Sequence, residues 1–247
     1  MAIRRGKVAT IAVLFVAVLF VVVATSGCAT PGPTTPMRAI EIGAAKRSDT
    51  LIVMLPGIGD TAEAFVSTGF IDGFADDRFD LLAVNATWRY YSSGTVVRRL
   101  HEDVVGPARA RGYRTIWLLG VSLGGYGSLL YADAFPDEIA GVILLSPYLG
   151  ARRLSERIEQ AGGLESWSGP SQHPERFERG WSSLKTLCAS NSSIVILGYG
   201  SSDPLAERYG PLLAALEPSQ VHVATGGHDW TTWAPLWSEI RESVPIR

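Results

Sequence analysis

One serine, one aspartate and one histidine in this chain stand where acyl-transfer chemistry would need them. Gly120-Val121-Ser122-Leu123-Gly124 is the only G-x-S-x-G in the sequence. It directly follows the apolar run Thr115 to Leu119 and opens a stretch rich in small residues, Gly124-Gly125-Tyr126-Gly127-Ser128. A strand-to-helix turn that tight holds its middle side chain out at the sheet's edge in a strained backbone conformation. The flanking glycines suit it because a Cβ there would strike neighbouring backbone. A glycine-rich packing turn with an incidental serine would spell the same five letters, and context separates the two.

A serine hydroxyl needs a base to take its proton. Of the four histidines, His101 lies in a helix-like stretch beside charged residues and reads as solvated. His173 precedes Pro174 in an irregular region, and His222 falls inside a strand-like run. His228 follows Gly226-Gly227 just past the last strand, on the carboxyl-end loops where open α/β sheets place their sites. The base in turn needs a carboxylate to hold its tautomer. Asp203 follows the preceding strand, and Pro204 keeps it out of a helix. Asp229 would have to fold back on its neighbour, while Asp133 and Asp137 lie on or after the helix leading away from Ser122. For the oxyanion, Leu123 would offer one backbone N–H, and Leu55-Pro56-Gly57-Ile58-Gly59-Asp60 the other, from Ile58. Asp60 is expected to cap a helix beginning near Thr61.

These residues need a scaffold that brings strand ends together. Short, continuous apolar runs occur at residues 51–55, 80–84, 115–119, 141–145, 193–197 and 221–224, with an edge candidate at 40–42. Continuous rather than alternating runs suit strands covered on both faces. Helix-like spacing fills residues 61–70, 96–111, 124–135, 211–216 and 230–244. The alternation predicts an α/β fold with a mostly parallel, doubly wound sheet and helices on both faces. Residues 150–191 break the rhythm and read as a largely helical, cap-like insertion over the strands' carboxyl ends, suited to act as a lid.

With these residues placed, residues 38–247 resemble the α/β-hydrolase superfamily, whose Ser…Asp…His order matches Ser122, Asp203 and His228. The ending Gly226-Gly227-His228-Asp229-Trp230-Thr231-Thr232-Trp233 is similar to the G-x-H-D-W-x-x-W of esterases of the esterase D and feruloyl esterase type, in which that histidine is catalytic. The resemblance implies a serine hydrolase that cleaves carboxylic esters of small-molecule or lipid-like substrates through an acyl-enzyme. An acyltransferase, thioesterase or peptidase on the same triad, or a non-catalytic binding scaffold, remains open. Trp230 and Trp233 read as packing that seats the histidine loop; Trp88, Tyr90 and Tyr91 read as pocket walls or core.

The first 27 residues read as an export signal: Arg4, Arg5 and Lys7, then an apolar stretch from Val8 to Thr25. The sequence Ala24-Thr25-Ser26-Gly27-Cys28 resembles a bacterial lipoprotein signal, which implies lipidation of Cys28 and a membrane-anchored protein facing the periplasm or cell exterior. An uncleaved anchor or an ordinary cleaved signal are the alternatives. Residues 28–37, rich in Pro and Thr, would form an extended linker. With Cys28 lipidated, Cys188 stands alone and reads as a small buried residue. A net charge of −2 and the lack of basic runs give no footprint for nucleic acid. No His, Cys or carboxylate pair has metal-site spacing, and no cofactor is expected.

Overall fold

A computed structural model describes residues 36–42, 48–72, 78–172, 175–190 and 194–245. The export signal, Cys28, most of the linker and His173 lie outside the described residues. Seven strands form one sheet: β1 (Ala39–Ile42), β2 (Thr50–Leu55), β3 (Asp80–Val84), β4 (Thr115–Val121), β5 (Gly141–Leu145), β6 (Ile194–Gly200) and β7 (Val221–Ala224). Their order is β1-β3-β2-β4-β5-β6-β7, with every pair parallel except the antiparallel edge β1.

The apolar runs become strands because each has two faces to bury. Leu51, Val53 and Leu55 of β2 point into one core and Ile52 and Met54 into the other. Both cores continue across the sheet: Leu118, Leu144 and Leu197 share the first, and Trp117, Leu119, Ile143 and Ile196 the second. A period of two thus supplies both layers from one uninterrupted run.

Helices α1 (Ala64–Ser67) and α2 (Trp88–Ser92) follow β2 and β3. Next, α3 (Val96–Leu100) runs through a π-helical turn (His101–Val105) into α4 (Gly106–Ala110). Leu123–Ala134 is α5, Arg152–Gln160 α6, Glu178–Ala189 α7, Gly210–Leu213 α8 and Trp230–Ser243 α9. The first core lies under α3, α5 and α7, whereas α1 and α9 cover the second. No helix among the described residues is long and apolar enough to cross a membrane.

Three expectations are refined. The helix expected over 61–70 is regular only at Ala64–Ser67, because Thr68 Oγ bonds the Ala64 carbonyl at 2.7 Å and Gly69 turns left-handed at φ +78°. The helix expected over 96–111 carries the π turn just before Pro107, whose ring would strike the carbonyl four residues back; Gly106 N–H instead reaches His101 O. Within residues 150–191, Leu154, Ile158, Leu164, Trp167, Trp181, Leu184 and Leu187 are all buried in the first core. α7 packs on α5 and β6 as a crossover helix. The segment is built into the domain.

Gly141 opens β5 because a Cβ there would sit 2.3 Å from the Trp117 ring and 2.6 Å from Ile194 O. Gly141→Ala is expected to cost about 2–3 kcal/mol through overpacking. Urea melts check this: the midpoint should fall while the slope stays unchanged.

Candidate active site

Ser122 joins β4 to α5 with φ +50° and ψ −113°, outside the ordinary regions for a residue with a side chain. The turn is possible because the residues two positions to either side lack side chains. A Cβ on Gly124 would lie 2.1 Å from Leu55 O, and one on Gly120 would lie 2.4 Å from Gly124 and Gly125 backbone. Hydrogen bonds fix the corner: Ser122 N–H donates to Leu145 O at 2.9 Å, and Ser122 O accepts from Gly125 N–H at 3.1 Å and Tyr148 N–H at 2.9 Å.

His228 Nε2 lies 3.0 Å from Ser122 Oγ. Its Nδ1 lies 3.0 and 3.2 Å from the two oxygens of Asp203. An ionised carboxylate only accepts, so Nδ1 carries the hydrogen and Nε2 presents its lone pair to the serine. The Asp203 side chain is fully covered; that of His228 retains a quarter of its exposure. Burial by itself pushes the Asp203 carboxyl up. The bond to His228, the Ser146 hydroxyl and the Leu205 N–H at 2.7 Å outweigh it and hold the group below its ordinary value.

Two loops must meet for this geometry, and their backbones are stitched together. Ser201 N–H donates to Ala224 O and Ser202 N–H to Gly226 O, both at 2.8 Å. A Cβ on Gly200 would lie 2.4 Å from Gly226 O, so the approach requires glycine. Asp229 caps α9, accepting from Thr232 N–H at 3.0 Å and from the hydroxyls of Thr231 and Thr232. The Trp233 ring stands edge-on to the His228 imidazole, centroids 5.0 Å apart, with Trp230 edge-on to Trp233 at 5.3 Å. Both tryptophans therefore pack the histidine loop.

The Pro56–Asp60 turn, expected to offer a second oxyanion donor, passes beside Ser122. The position a Cβ would take on Gly57 is 3.5 Å from Ser122 Cβ. Ile58 follows with 63% exposure, and Leu123 is the first residue of α5, where N–H groups lack intrahelical partners. Asp60 departs from its expected role. It caps nothing at α1 and accepts from Trp230 Nε1 at 3.3 Å, while Asn85 Oδ1 takes the Ala62 N–H at 2.7 Å.

The other candidates sit elsewhere. His101 is half-buried rather than solvated, stacked on Phe135 at 4.2 Å with Nδ1 3.1 Å from Tyr131 OH. His222 lies on β7, paired with Glu239 at 2.7 Å. Burial pushes the Cys188 thiol up to about 11, which leaves it protonated and inert at neutral pH. Tyr90 and Tyr91 are buried, and Trp88, 40% exposed, stacks under Arg176 at 4.8 Å. Among the described residues, no three or more His, Cys, Asp or Glu are grouped to hold a metal ion. A cleft of about 850 Å³ runs along α5 past Tyr91, Tyr126, Leu130 and Arg179, and neither Ser122 nor His228 lines it. Ser146, which the sequence reading passed over, touches Trp233 and lowers the proton affinity of Asp203.

Asp203 contributes stability that is present above its ordinary value of 3.8 and is lost as pH falls through its lower folded value. Urea melts between pH 6 and 3 should therefore show a steeper acid loss in the wild type than in Asp203→Asn. Equal slopes would remove the inference.

A family model described as the alpha/beta hydrolase fold matches residues 50–161. No curated protein matches the sequence. Among solved structures, a ferulic acid esterase aligns at 16% identity and TM-score 0.52, covering 77% of this chain and 82% of its own. S-formylglutathione hydrolase from Staphylococcus aureus aligns at 14% and 0.56, covering 84% and 95%. A monoacylglycerol lipase from Paleococcus ferrophilus aligns at 17% and 0.56, covering 85% and 98%. The seven-stranded sheet, its crossovers and this match together identify the α/β-hydrolase fold.

Proposed function

We propose that this protein is a serine hydrolase acting on carboxylic esters. The observation that carries the reading is one unbroken hydrogen-bonded path, from Ser122 Oγ through both ring nitrogens of His228 to the buried carboxylate of Asp203. Structures sharing the fold are named esterase, hydrolase and lipase, which supports the reaction class.

In this scheme Ser122 Oγ attacks the ester carbonyl carbon while His228 Nε2 takes the hydroxyl proton. The negative charge developing on the carbonyl oxygen falls to the backbone N–H groups of Leu123 and Ile58. Collapse of the tetrahedral intermediate breaks the bond to the alkoxy oxygen, which leaves with the proton from His228. Water then repeats the cycle on the acyl-enzyme, with His228 as base and then acid. Asp203 stays ionised throughout and stabilises the imidazolium that forms twice per turnover.

Ser122→Ala is expected to lower kcat for p-nitrophenyl esters by at least about 10³-fold. It should also abolish fluorophosphonate labelling and leave the thermal midpoint nearly unchanged. Wild-type turnover in that variant would refute the assignment. A panel of acyl esters of graded length would then define the substrate.

The same reading places the enzyme outside the cytoplasm, held to a membrane through lipid on Cys28. Expressed in a bacterium with lipoprotein processing, the wild type should fractionate with membranes and Cys28→Ser should not. Mass spectrometry that finds Met1 intact would exclude the lipoprotein.

A further inference from the structure

We infer that Ser146 is a fourth, positioning member of the site, whose hydroxyl donates to Asp203 while accepting from Trp233. The inference rests on the serine-hydrolase reading above. Among the described residues only two that are not glycine have positive φ, Ser122 at +50° and Ser146 at +47°. Each of these conformations costs on the order of 1–3 kcal/mol. The same chain places glycine at nine other described left-handed positions. Serine at 146 thus keeps a side chain where glycine would remove the strain.

That side chain has little freedom. Ser146 closes β5 as Ser122 closes the adjacent β4, and each N–H donates to the next strand: Ser122 to Leu145 O at 2.9 Å, Ser146 to Gly198 O at 2.8 Å. Ser146 is wholly buried, and Trp233 Nε1 lies 2.9 Å from its Oγ. An indole N–H only donates, so it occupies a lone pair of the hydroxyl and leaves the O–H to find an acceptor. We assign that role to the buried carboxylate of Asp203, already bonded to His228 and Leu205 N–H and held below its ordinary value in part by this hydroxyl. The ring of Trp233 also stands against His228. Indole, hydroxyl, carboxylate and imidazole therefore close a loop in which Trp233 supports the base directly and the acid through Ser146. Such a loop fixes the carboxylate's orientation and tempers its basicity.

Ser146→Gly tests this because it removes the hydroxyl and the strain together. Its thermal midpoint should rise or hold, while kcat falls about tenfold with KM within about twofold. With one donor fewer, the Asp203 carboxylate is the stronger acceptor. The acidic limb of kcat/KM should then move to higher pH. Trp233→Phe keeps the ring and removes only the N–H, and should give a smaller change in the same direction. Combining the two should cost little more than Ser146→Gly alone. A glycine variant with wild-type kcat and an unmoved acidic limb overturns the proposal, as does a loss of kcat that tracks a fallen midpoint with the limb unmoved. Failure of the underlying reading is distinguishable: the wild type itself would then resist fluorophosphonate labelling.

Discussion

The close approach of backbone to backbone at the start of α5 is the constraint on which the site depends. Helix and central strand can meet there only because Gly120 and Gly124 carry no Cβ, which would otherwise fall 2.1–2.4 Å from neighbouring main-chain atoms. The tight corner forces Ser122 into positive φ and holds its Oγ 3.0 Å from the imidazole. It also directs the N-terminus of a twelve-residue helix at the nucleophile. The first turn of that helix, where N–H groups lack intrahelical partners, and the positive end of its dipole therefore begin beside Ser122. Strain at one residue is offset by the packing of the sheet's centre, where β4 lies between β2 and β5.

A second constraint is the burial of Asp203. A covered carboxylate is costly to ionise, and here three donors more than compensate. Those donors come from different parts of the chain: His228 from the loop after β7, Leu205 from the aspartate's own turn and Ser146 from the end of β5. The carboxylate can thus be buried and still charged only when these segments are docked. The loops that bring the three donors together are joined by the stitched backbones of residues 200–202 and 224–226.

Much of this was legible in the sequence because it depends on position along the chain. Strands covered on both faces leave continuous apolar runs, and residues just past their carboxyl ends must gather at one rim; the meeting of Ser122, Asp203 and His228 was readable that way. What was not legible depends on neighbours that only the tertiary fold supplies. Ser146 follows a strand like many other serines, and nothing local marks its contact with Trp233, 87 residues away. Asp60 carries a sound capping signal, yet Asn85 at the end of β3 takes the N–H that a cap would have served. The five-residue helix Trp88–Ser92 is too short to show a period, and its N-cap Thr87 makes no side-chain bond.

Aromatic packing ties residues 150–191 to the corner that carries Ser122. The Ser122 carbonyl is held by Tyr148, whose ring meets Phe177 at 4.9 Å; Phe177 meets Tyr126 at 4.8 Å, and Tyr126 stacks on Tyr91 at 6.4 Å. This row of rings leads from the nucleophile's corner to the cleft along α5. It is packed closely enough to demand glycine: a Cβ on Gly180 would lie 2.8 Å from the Tyr126 ring, and one on Gly150, at φ +98°, 2.8 Å from Phe177 Cβ. Behind it, Trp181 and Leu184 are anchored in the core, and Trp181 Nε1 donates to Leu149 O at 2.9 Å. Swinging such a segment aside would expose several large apolar side chains at a cost of about 1.5–3 kcal/mol each. Helices α6 and α7 are thus held to the domain by buried side chains along the whole segment. The Pro56–Asp60 turn differs from this packed row: Ile58 stands 63% exposed, beside the corner that carries Ser122.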